Sequence, residues 1–483
     1  MRHFEIAVLV GLACSVIGLA LRKSVAFPWF QIAVGLTLVA TLLHVVLEGA
    51  RWQMGPAYAA ALLVLVLALV WTNDRSRWLA PIGVFVLGAV LLASFLSAAL
   101  PVFTLPTPQG PYAIGTEVRH LVDQKRRDPF GSDPAAPREL MVQIWYPADP
   151  SAAGKVAPYR ERRATTFRGA RFSLVETHAR MEVPILAGER RFPVLIYVPS
   201  WVGVRTENTS LVEQLVSEGY VVVGIDHPYG SEMVEFPDGR VVRTRLDKVE
   251  GFSSDALFSR FVTVAEEEQN VRAQDASFVL SMLEQLGADH SGDRFAGRLD
   301  LNRAGIFGFS FGGGVALEAC WSDERFKAGI DMDGMRVGES AASGPPAPFL
   351  YMLEDYDPRP DAVTDPRARR EALFDRSQLD QLYRILDKRG GYLLKVKGSL
   401  HYNFSDAQLY SPLPVNPEIG KVEPRVAERI IRRYALAFFD RHLRGLDRPL
   451  LTDAPLDTPE LTFKRYDARR TTPMDPNRVR VGE

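Results

Sequence analysis

The pentapeptide Gly308-Phe309-Ser310-Phe311-Gly312 places a serine between two glycines in the pattern Gly-x-Ser-x-Gly. The apolar run Ala304–Phe307 precedes it and Val315–Ala319 follows it, so the segment is predicted to pass from a strand through a sharp turn into a helix. In such a turn a side chain at either glycine would collide with neighbouring backbone, and the serine hydroxyl is held out above the sheet. Roughly one sequence in six of this length and composition would contain the bare pattern by chance, so the strand-turn-helix context carries the prediction.

A serine becomes a useful nucleophile only when a nearby base can take its proton. In sheets that carry this turn, the acid and then the histidine follow the serine along the chain. Two histidines follow Ser310: His401, in a loop after the predicted strand Leu393–Val396, and His442, on a charged helix. We therefore predict that His401 is the base.

The acid that would orient this histidine has more than one candidate. Asp331 and Asp333 follow the apolar residues 328–330, and Glu354, Asp355 and Asp357 follow the predicted strand Phe349–Leu353. Because both groups come at the end of a strand, the spacing alone leaves the choice open.

Composition excludes several classes of protein. The 483 residues include 57 Lys and Arg against 58 Asp and Glu, so no basic field would attract nucleic acid. The two cysteines, Cys14 and Cys320, fall in an apolar stretch and in the helix after Ser310, and we expect no disulfide between them. Three consecutive glycines start at Gly312, but no Lys-Ser or Lys-Thr follows to bind a nucleotide phosphate. Histidines and cysteines show no metal-ligand spacing, so neither a metal nor an organic cofactor is expected.

Four apolar stretches in residues 1–103 are predicted to form transmembrane helices, because about 20 apolar residues in a helix span the hydrocarbon core of a bilayer. They are Phe4–Leu21, Trp29–Leu47, Met54–Thr72 and Leu79–Leu100. Gly55 and Pro56 shorten the apolar part of the third.

The basic residues between these stretches predict an orientation. The first and third loops contain Arg22 with Lys23 and Arg75 with Arg77, whereas the N-terminus and the second loop contain Arg2 and Arg51. The positive-inside rule then places loops one and three in the cytoplasm and both termini outside it. We expect a multi-pass protein of a bacterial inner membrane with its catalytic domain on the extracytoplasmic side.

The rest of the chain is predicted to be an α/β domain over residues 112–450, after a proline-rich linker at 104–111. Short β-rich runs alternate with helical patterns, which indicates a mostly parallel, doubly wound sheet. The predicted strands are Leu140–Tyr146, Val194–Val198, Val221–Ile225, Ala304–Phe307, Phe349–Leu353 and Leu393–Val396, and the predicted helices are Leu211–Glu218, Val271–Leu286, Val315–Cys320 and Pro424–Leu443. With the serine turn, this pattern predicts an α/β-hydrolase fold preceded by four transmembrane helices.

The composition of two further segments indicates how they are expected to be structured. The charged, partly amphipathic stretch Arg359–Gly390 is interpreted either as a lid over the site or as a solvated surface insertion. Residues 451–483, rich in proline, arginine and threonine, are expected to form a loosely ordered tail.

Several segments resemble the plasma-type (isoform II) platelet-activating factor acetylhydrolase family. The resemblance covers most of Gly110–Leu443 and rests on Gly308–Gly313, Arg325–Gly334, Gly398–Asp406, Gly110–Tyr112 and Ile144–Pro147. In that family the acid follows the strand after the nucleophile helix, which corresponds to Asp333, and the base corresponds to His401. The resemblance thus implies a triad of Ser310, Asp333 and His401.

The chain departs from the family at two places. Phe309 stands where the family has histidine, and Ser200-Trp201-Val202-Gly203 stands in place of its His-Gly-x-Gly oxyanion loop. Backbone amides can still supply an oxyanion hole, and we predict those of Phe311 and of Val202, with Trp201 as the alternative to Val202. Trp201 and Phe309 are also candidates for a substrate pocket.

The resulting hypothesis is a membrane-anchored serine ester hydrolase that acts on an ester or lipid through an acyl-enzyme. Two alternatives stay open: an acyltransferase that uses the same triad, and a non-catalytic membrane sensor whose hydrolase-like domain binds a ligand. The natural acyl group, the protein partners and the oligomeric state are not predicted.

Overall fold

The computed structural model describes residues 1–21, 26–70, 79–161, 169–188, 190–288, 292–452 and 461–468. It contains two compact units. The first comprises Met1–Pro106, Val156–His178 and Asp406–Pro417, and the second comprises Thr107–Lys155, Ala179–Ser405 and Glu418–Glu483. The basic residues on which the orientation depends, Arg22, Lys23, Arg75 and Arg77, lie outside the described residues.

The first unit contains four long apolar helices that correspond to the four predicted stretches. They are α1 His3–Leu21, α2 Ala26–Leu43, α3 Gly55–Val70 and α4 Leu79–Ala99. A π-helical turn, His44–Gly49, extends α2, and a 3-10 turn, Trp52–Met54, precedes α3. Pro56 lies in the first turn of α3, where a missing N–H costs no hydrogen bond, so it does not interrupt the helix. By length and composition, all four segments could cross a membrane.

Small residues line the contacts between these helices. Ala57, Ala60 and Ala93 are fully buried, and a side chain at Gly11 of α1 would overlap the hydroxyl of Thr37 on α2. Large apolar side chains such as Leu69, which is 77% exposed, and Val84, which is 71% exposed, point away from the neighbouring helices. Large apolar side chains such as Phe30 and Val86 are buried between the helices as well, so the bundle combines close contacts at small residues with an apolar outer surface, which suits a hydrocarbon environment.

A polar cluster ties the helix ends together on one side of this bundle. His44 accepts or donates hydrogen bonds at both ring nitrogens, to Glu48 Oε2 at 3.0 Å and to Tyr58 Oη at 2.7 Å. Arg51 Nη2 donates to Glu5 Oε2 at 2.8 Å. Ligand atoms of Glu5, His44 and Glu48 lie within 4.8 Å of one another, as in a metal site. Arg51 contacts Glu5, Tyr58 contacts His44 and Arg2 contacts Glu48, so protein groups already occupy all three, and we interpret the cluster as a set of polar contacts that join the helices.

The second unit is built on a mixed sheet. In chain order the described strands are β1 Ala113–Arg127, β2 Pro137–Ala148, β3 Val156–Pro158, β4 Glu176–Met181, β5 Phe192–Val198, β6 Val221–Asp226, β7 Met233–Glu235, β8 Val241–Arg243, β9 Leu299–Phe309, β10 Phe326–Met332, β11 Phe349–Leu353, β12 Gly391–Val396 and β13 Leu461–Tyr466. The strand order in this unit is β13-β12-β11-β10-β9-β5-β6-β2-β1-β4, and β7 and β8 form a separate hairpin, whereas β3 belongs to the first unit. Strands β6, β5, β9, β10, β11 and β12 are mutually parallel, whereas β2 and β13 pair antiparallel with their neighbours.

Helices cover both faces of the parallel strands. They are α5 Thr209–Ser217, α6 Asp255–Gly287, α7 Phe311–Ser322, α8 Gly338–Ser343, α9 Pro366–Arg389 and α10 Pro424–Arg444. Successive side chains of a strand point to opposite faces. On β9, Ile306 belongs to the core formed with α6 and α7, whereas the ring of the next residue, Phe307, lies 6.0 Å from that of Phe439 on α10. The doubly wound α/β-hydrolase fold predicted from the sequence is confirmed.

Two short segments were not expected in the first unit. Residues 156–178 and 406–417 group with the apolar helices rather than with the sheet. Their aromatic rings explain this, because Tyr159, Phe172 and Tyr410 pack with Phe103 at centroid distances of 5.0 to 6.2 Å. The Tyr159 hydroxyl also donates to Asp406 Oδ2 at 3.1 Å. A division of the chain at a single linker could not have placed these segments.

The C-terminal segment also differs from expectation. Residues 461–466 of the expected loose tail form β13, which pairs antiparallel with β12. Phe463 gives the reason, because its ring stacks on Tyr392 of β12 at 6.0 Å and packs on Tyr434 of α10 at 5.1 Å. Residues 453–460 and 469–483 lie outside the described part of the chain.

Candidate active site

The turn between β9 and α7 holds Ser310 in a conformation that glycine neighbours make possible. Ser310 has φ 56° and ψ −125°, a region that L-residues rarely adopt. A Cβ at Gly308 would overlap the carbonyl oxygen of Gly312, and one at Gly312 would overlap that of Val198. The serine hydroxyl is therefore presented at the carboxyl end of β9 by a turn that other residue types could not form.

The imidazole of His401 lies between Ser310 and Asp333. Its Nε2 is 2.9 Å from Ser310 Oγ, and its Nδ1 is 2.7 Å from Asp333 Oδ2. Since a carboxylate only accepts, Nδ1 carries the proton that is donated to Asp333, and Nε2 of the neutral ring accepts from the serine hydroxyl. The three residues follow β9, β10 and β12, so the carboxyl ends of parallel strands bring them together.

Asp333 and Asp331, which the sequence spacing could not separate, occupy different places. Asp333 has φ 57°, and its Oδ1 accepts a hydrogen bond from the Glu354 N–H at 3.0 Å. Asp331 is fully buried, accepts from Gly334 N–H at 2.6 Å and pairs with Arg336 at 2.6 Å. Asp331 thus braces the turn that carries Asp333 and does not contact the imidazole.

The other candidates lie elsewhere. Asp355 accepts a hydrogen bond from Gly398 N–H at 2.9 Å, and Asp357 has a side chain that is 64% exposed. His442 packs on Phe438 with ring centroids 4.8 Å apart, and its Nε2 is 3.2 Å from the hydroxyl of Tyr392. Burial and nearby arginines lower the pKa of His442 to about 4. None of the three is positioned to act with Ser310.

A cavity of about 180 Å³ opens beside the serine. Ser310, Asp333 and His401 line it together with side chains from the β11 loop and from α9. The α9 residues are Phe374, Asp375, Gln378 and Leu379, so the segment Arg359–Gly390, interpreted from sequence as a lid or a surface insertion, forms one wall of the site. The contribution of Asp375 had no sequence signal, because α9 is charged along its whole length.

Burial and neighbouring charges shift the titration of the groups around this cavity. Burial lowers the pKa of His401, but the hydrogen bond and charge of Asp333 outweigh it, so the pKa of His401 is raised above its ordinary 6.5. Burial, followed by the charge of Asp333, raises the pKa of Glu354 to about 8. Burial, followed by Glu371 and Asp333, raises the pKa of Asp375 to about 6.

The loop after β5, residues 200–203, is held from behind by a buried arginine that sequence reasoning missed. Arg272 of α6 donates to the carbonyl oxygens of Ser200 at 3.0 Å and Trp201 at 2.8 Å. Its guanidinium also lies 4.9 Å from the ring centroid of Phe311. The carbonyl of Val202 accepts from Glu232 N–H at 2.8 Å. Because these three carbonyls are engaged, the conformation of the loop is fixed.

The predicted oxyanion and pocket residues lie around this loop. Phe311 is the first residue of α7, so its N–H has no acceptor within the helix. Val202 is 37% exposed, and the Trp201 ring packs edge-on against Phe311 at 4.8 Å. Phe309 is 1% exposed and packs against the His401 imidazole at 4.9 Å. Neither Trp201 nor Phe309 lines the cavity beside Ser310, since both side chains are turned into packing contacts.

Comparison with known proteins gives concordant matches. A family described as "Platelet-activating factor acetylhydrolase, isoform II" matches residues 101–449. A "Probable 1-alkyl-2-acetylglycerophosphocholine esterase" from Arthroderma benhamiae is 23% identical over 77% of this chain and 97% of its own length. A platelet-activating factor acetylhydrolase from Cavia porcellus is 23% identical over 71% of this chain and 79% of its own. A ferulic acid esterase structure from Streptomyces cinnamoneus aligns with a TM-score of 0.59 and 30% identity, over 75% of this chain and 99% of its own.

Replacement of Arg272 tests whether the loop after β5 contributes to ester hydrolysis. Arg272→Met is expected to lower kcat for a p-nitrophenyl ester by about tenfold or more, with a smaller change in KM, because losing a whole oxyanion donor costs about 100- to 1000-fold. Arg325→Met is the control, since Arg325 also forms ion pairs but contacts residues outside the loop, namely Asp323, Glu284, Ser281 and Ser277. An Arg272→Met enzyme with unchanged kcat would contradict this role.

Proposed function

Since the chain belongs to the isoform II platelet-activating factor acetylhydrolase family, and is thus an ester-hydrolysing serine hydrolase, we propose that Ser310, His401 and Asp333 carry out the hydrolysis. One observation carries this proposal. The imidazole of His401 is within hydrogen-bonding distance of both the serine hydroxyl and the aspartate carboxylate. A nucleophile, a base and an orienting acid in contact are the arrangement that acyl transfer by serine requires.

The reaction would proceed in two halves. In the first, Ser310 Oγ attacks the ester carbonyl carbon while His401 Nε2 takes the hydroxyl proton, and the Asp333 carboxylate stabilises the imidazolium that forms. His401 then returns the proton to the departing alcohol, which leaves an acyl-serine. In the second half His401 takes a proton from a water molecule that attacks the acyl carbon. The bond to Ser310 Oγ then breaks as His401 returns the proton to Oγ, which releases the acid and restores the serine hydroxyl.

The negative charge on the carbonyl oxygen needs hydrogen-bond donors during each half. We assign this to the N–H groups of Phe311 and Val202. Phe311 supplies a donor at the N-terminus of α7, where the helix dipole also favours negative charge. Val202 belongs to the loop that Arg272 fixes, so its N–H would be positioned before substrate binds.

The apolar helices α1–α4 would anchor the enzyme in a membrane as a multi-pass protein, which places the substrate among esters or lipids close to a bilayer. Their outward-facing Leu36, Leu69 and Val84 are large, apolar and more than half exposed, and exposure to water would be costly for so continuous a surface. The distribution of arginine and lysine between the spans favours an extracytoplasmic catalytic unit.

Removal of the serine hydroxyl is the direct kinetic test. Ser310→Ala is expected to lower kcat/KM for p-nitrophenyl butyrate by about 10⁴-fold or more, because the nucleophile is lost while binding is retained. Ser322→Ala, at the far end of the same helix, is the matched control and should retain activity. An active Ser310→Ala enzyme would rule out the proposed nucleophile.

The pH dependence of ester hydrolysis tests whether His401 is the base that takes the serine proton. Only the neutral imidazole can accept the serine proton, and the pKa of His401 is raised. Activity is therefore expected to be high at alkaline pH and to fall as the pH is lowered through a midpoint above 6.5 in kcat/KM for a neutral ester. A profile that stays flat to pH 5 would show that His401 does not act as the base.

Membrane attachment and the orientation of the catalytic unit can be measured separately. The protein is expected to sediment with membranes, to resist extraction by alkaline carbonate and to be released by detergent. An alkaline phosphatase fused after Glu483 should be active, because it folds only outside the cytoplasm, whereas a cytoplasmic fluorescent reporter at the same position should be dark. Release by carbonate would refute the anchor, and a bright cytoplasmic reporter would reverse the orientation.

A further inference from the structure

Two carboxylic acids line the cavity beside Ser310 without a part in the proposed mechanism. Glu354 follows β11, and Asp375 projects from α9 on another wall of the same cavity. Any ester whose carbonyl carbon reaches Ser310 Oγ must place part of its structure next to this cavity, since Ser310 and His401 also line it. The two acids are therefore positioned to contact one arm of the ester, that is, either its acyl part or its alcohol part.

The positive charges near these acids are already neutralised. Arg336 lines the cavity but is 2% exposed and pairs with the fully buried Asp331, and its second nitrogen donates to the carbonyl of Gln378 at 3.3 Å. His401 is paired with Asp333. The charges that act on Glu354 are those of Asp333, His401 and Asp375, and those that act on Asp375 include Glu371. Tyr356 and Asp357 lie on the same loop as Glu354. Once Asp375 and Glu354 are ionised, which needs a pH above about 8, the cavity has an excess of negative charge.

The remaining walls suit an uncharged or positively charged group. Phe374 and Tyr356 present aromatic rings to the cavity, and aromatic faces attract cations as well as apolar groups. Burial is the largest cause of the raised pKa of Glu354 and of Asp375, and the charge of the neighbouring acids adds to it, because acids close to other acids resist ionisation. A cation in the cavity would relieve this crowding, whereas a carboxylate would increase it.

We propose that Glu354 and Asp375 determine the charge selectivity of the esterase, so that the cavity accepts neutral and cationic ester arms and rejects an arm that ends in a carboxylate. This selectivity rests on the proposed function, because it concerns substrates that react with Ser310. It adds a substrate class to that function, namely esters in which the arm that enters this cavity ends in a neutral or cationic group.

A set of esters of equal size tests the charge on the alcohol arm. 4-Methylpentyl acetate is neutral, 3-(dimethylamino)propyl acetate is cationic, and 4-acetoxybutanoate is anionic, while all three release acetate. Ethyl 5-methylhexanoate and ethyl hydrogen glutarate form the corresponding neutral and anionic pair for the acyl arm. At a pH of about 8.5, where both acids are largely ionised, the purified full-length enzyme in detergent is expected to prefer the neutral over the anionic ester in at least one arm by about tenfold or more in kcat/KM.

Variants identify the source of this preference. Glu354→Gln and Asp375→Asn should each lower the neutral-to-anionic ratio several-fold, and the double variant should lower it further. Asp380→Asn removes the same charge from the exposed side of α9, where Asp380 pairs with Arg376, and should leave the ratio unchanged. The ratio is the readout because a loss of folding or of catalysis affects both esters equally.

The pH dependence of the unmodified enzyme gives a test that needs no variant. As Asp375 and then Glu354 lose their protons between about pH 6 and pH 8, the cationic-to-anionic ratio should rise. Titration of His401 changes the rates of both esters together and cancels in the ratio.

The outcomes separate this proposal from the proposed function. Ester hydrolysis that depends on Ser310, with a neutral-to-anionic ratio near one in both arms, would overturn the charge selectivity alone. A strong preference that neither variant reduces would overturn the assignment to Glu354 and Asp375. Absence of Ser310-dependent hydrolysis of every ester would overturn the proposed function and, with it, the selectivity.

Discussion

The site depends on two hydrogen bonds of the His401 imidazole, which accepts one from the Ser310 hydroxyl and donates one to the Asp333 carboxylate. They join segments 91 and 68 residues apart in the chain, so they exist only if β9, β10 and β12 end at the same edge of the sheet. Ser310 and Asp333 both have positive φ, which is uncommon for residues other than glycine. Backbone strain is therefore concentrated at the two residues whose side chains contact the His401 imidazole.

The sequence allowed much of this arrangement to be predicted. The glycines around Ser310 are required by backbone contacts, and the apolar runs before Ser310 and His401 are long enough to be buried strands. The acid of the triad could not be identified from spacing, because Asp331 and Asp333 are only two residues apart. They differ in position, since Asp331 is buried in the core and Asp333 contacts the imidazole. Resemblance to a family indicated Asp333, and in the structure Asp333 is the one on the imidazole.

Other features had no local signal. Arg272 lies 72 residues from Ser200 in the chain, and an arginine within a charged helix is usually solvated. Asp375 belongs to a helix with many charges, and only the position of α9 decides which of them face the cavity. The segments 156–178 and 406–417 both group with the apolar helices, and they contact each other through the rings of Tyr159 and Tyr410, which are 251 positions apart in the chain. Long-range contacts of this kind cannot be read from one sequence.

The proposed mechanism requires Ser310 to be an activated nucleophile. The most direct measurement is mass-spectrometric mapping of the residue modified by a fluorophosphonate, with the full-length protein in detergent. The structure predicts a single adduct on the peptide that contains Ser310, formed rapidly in the unmodified protein and lost in His401→Ala, because the imidazole must take the hydroxyl proton. An adduct on another serine, or equal labelling of Ser310 without His401, would contradict the account.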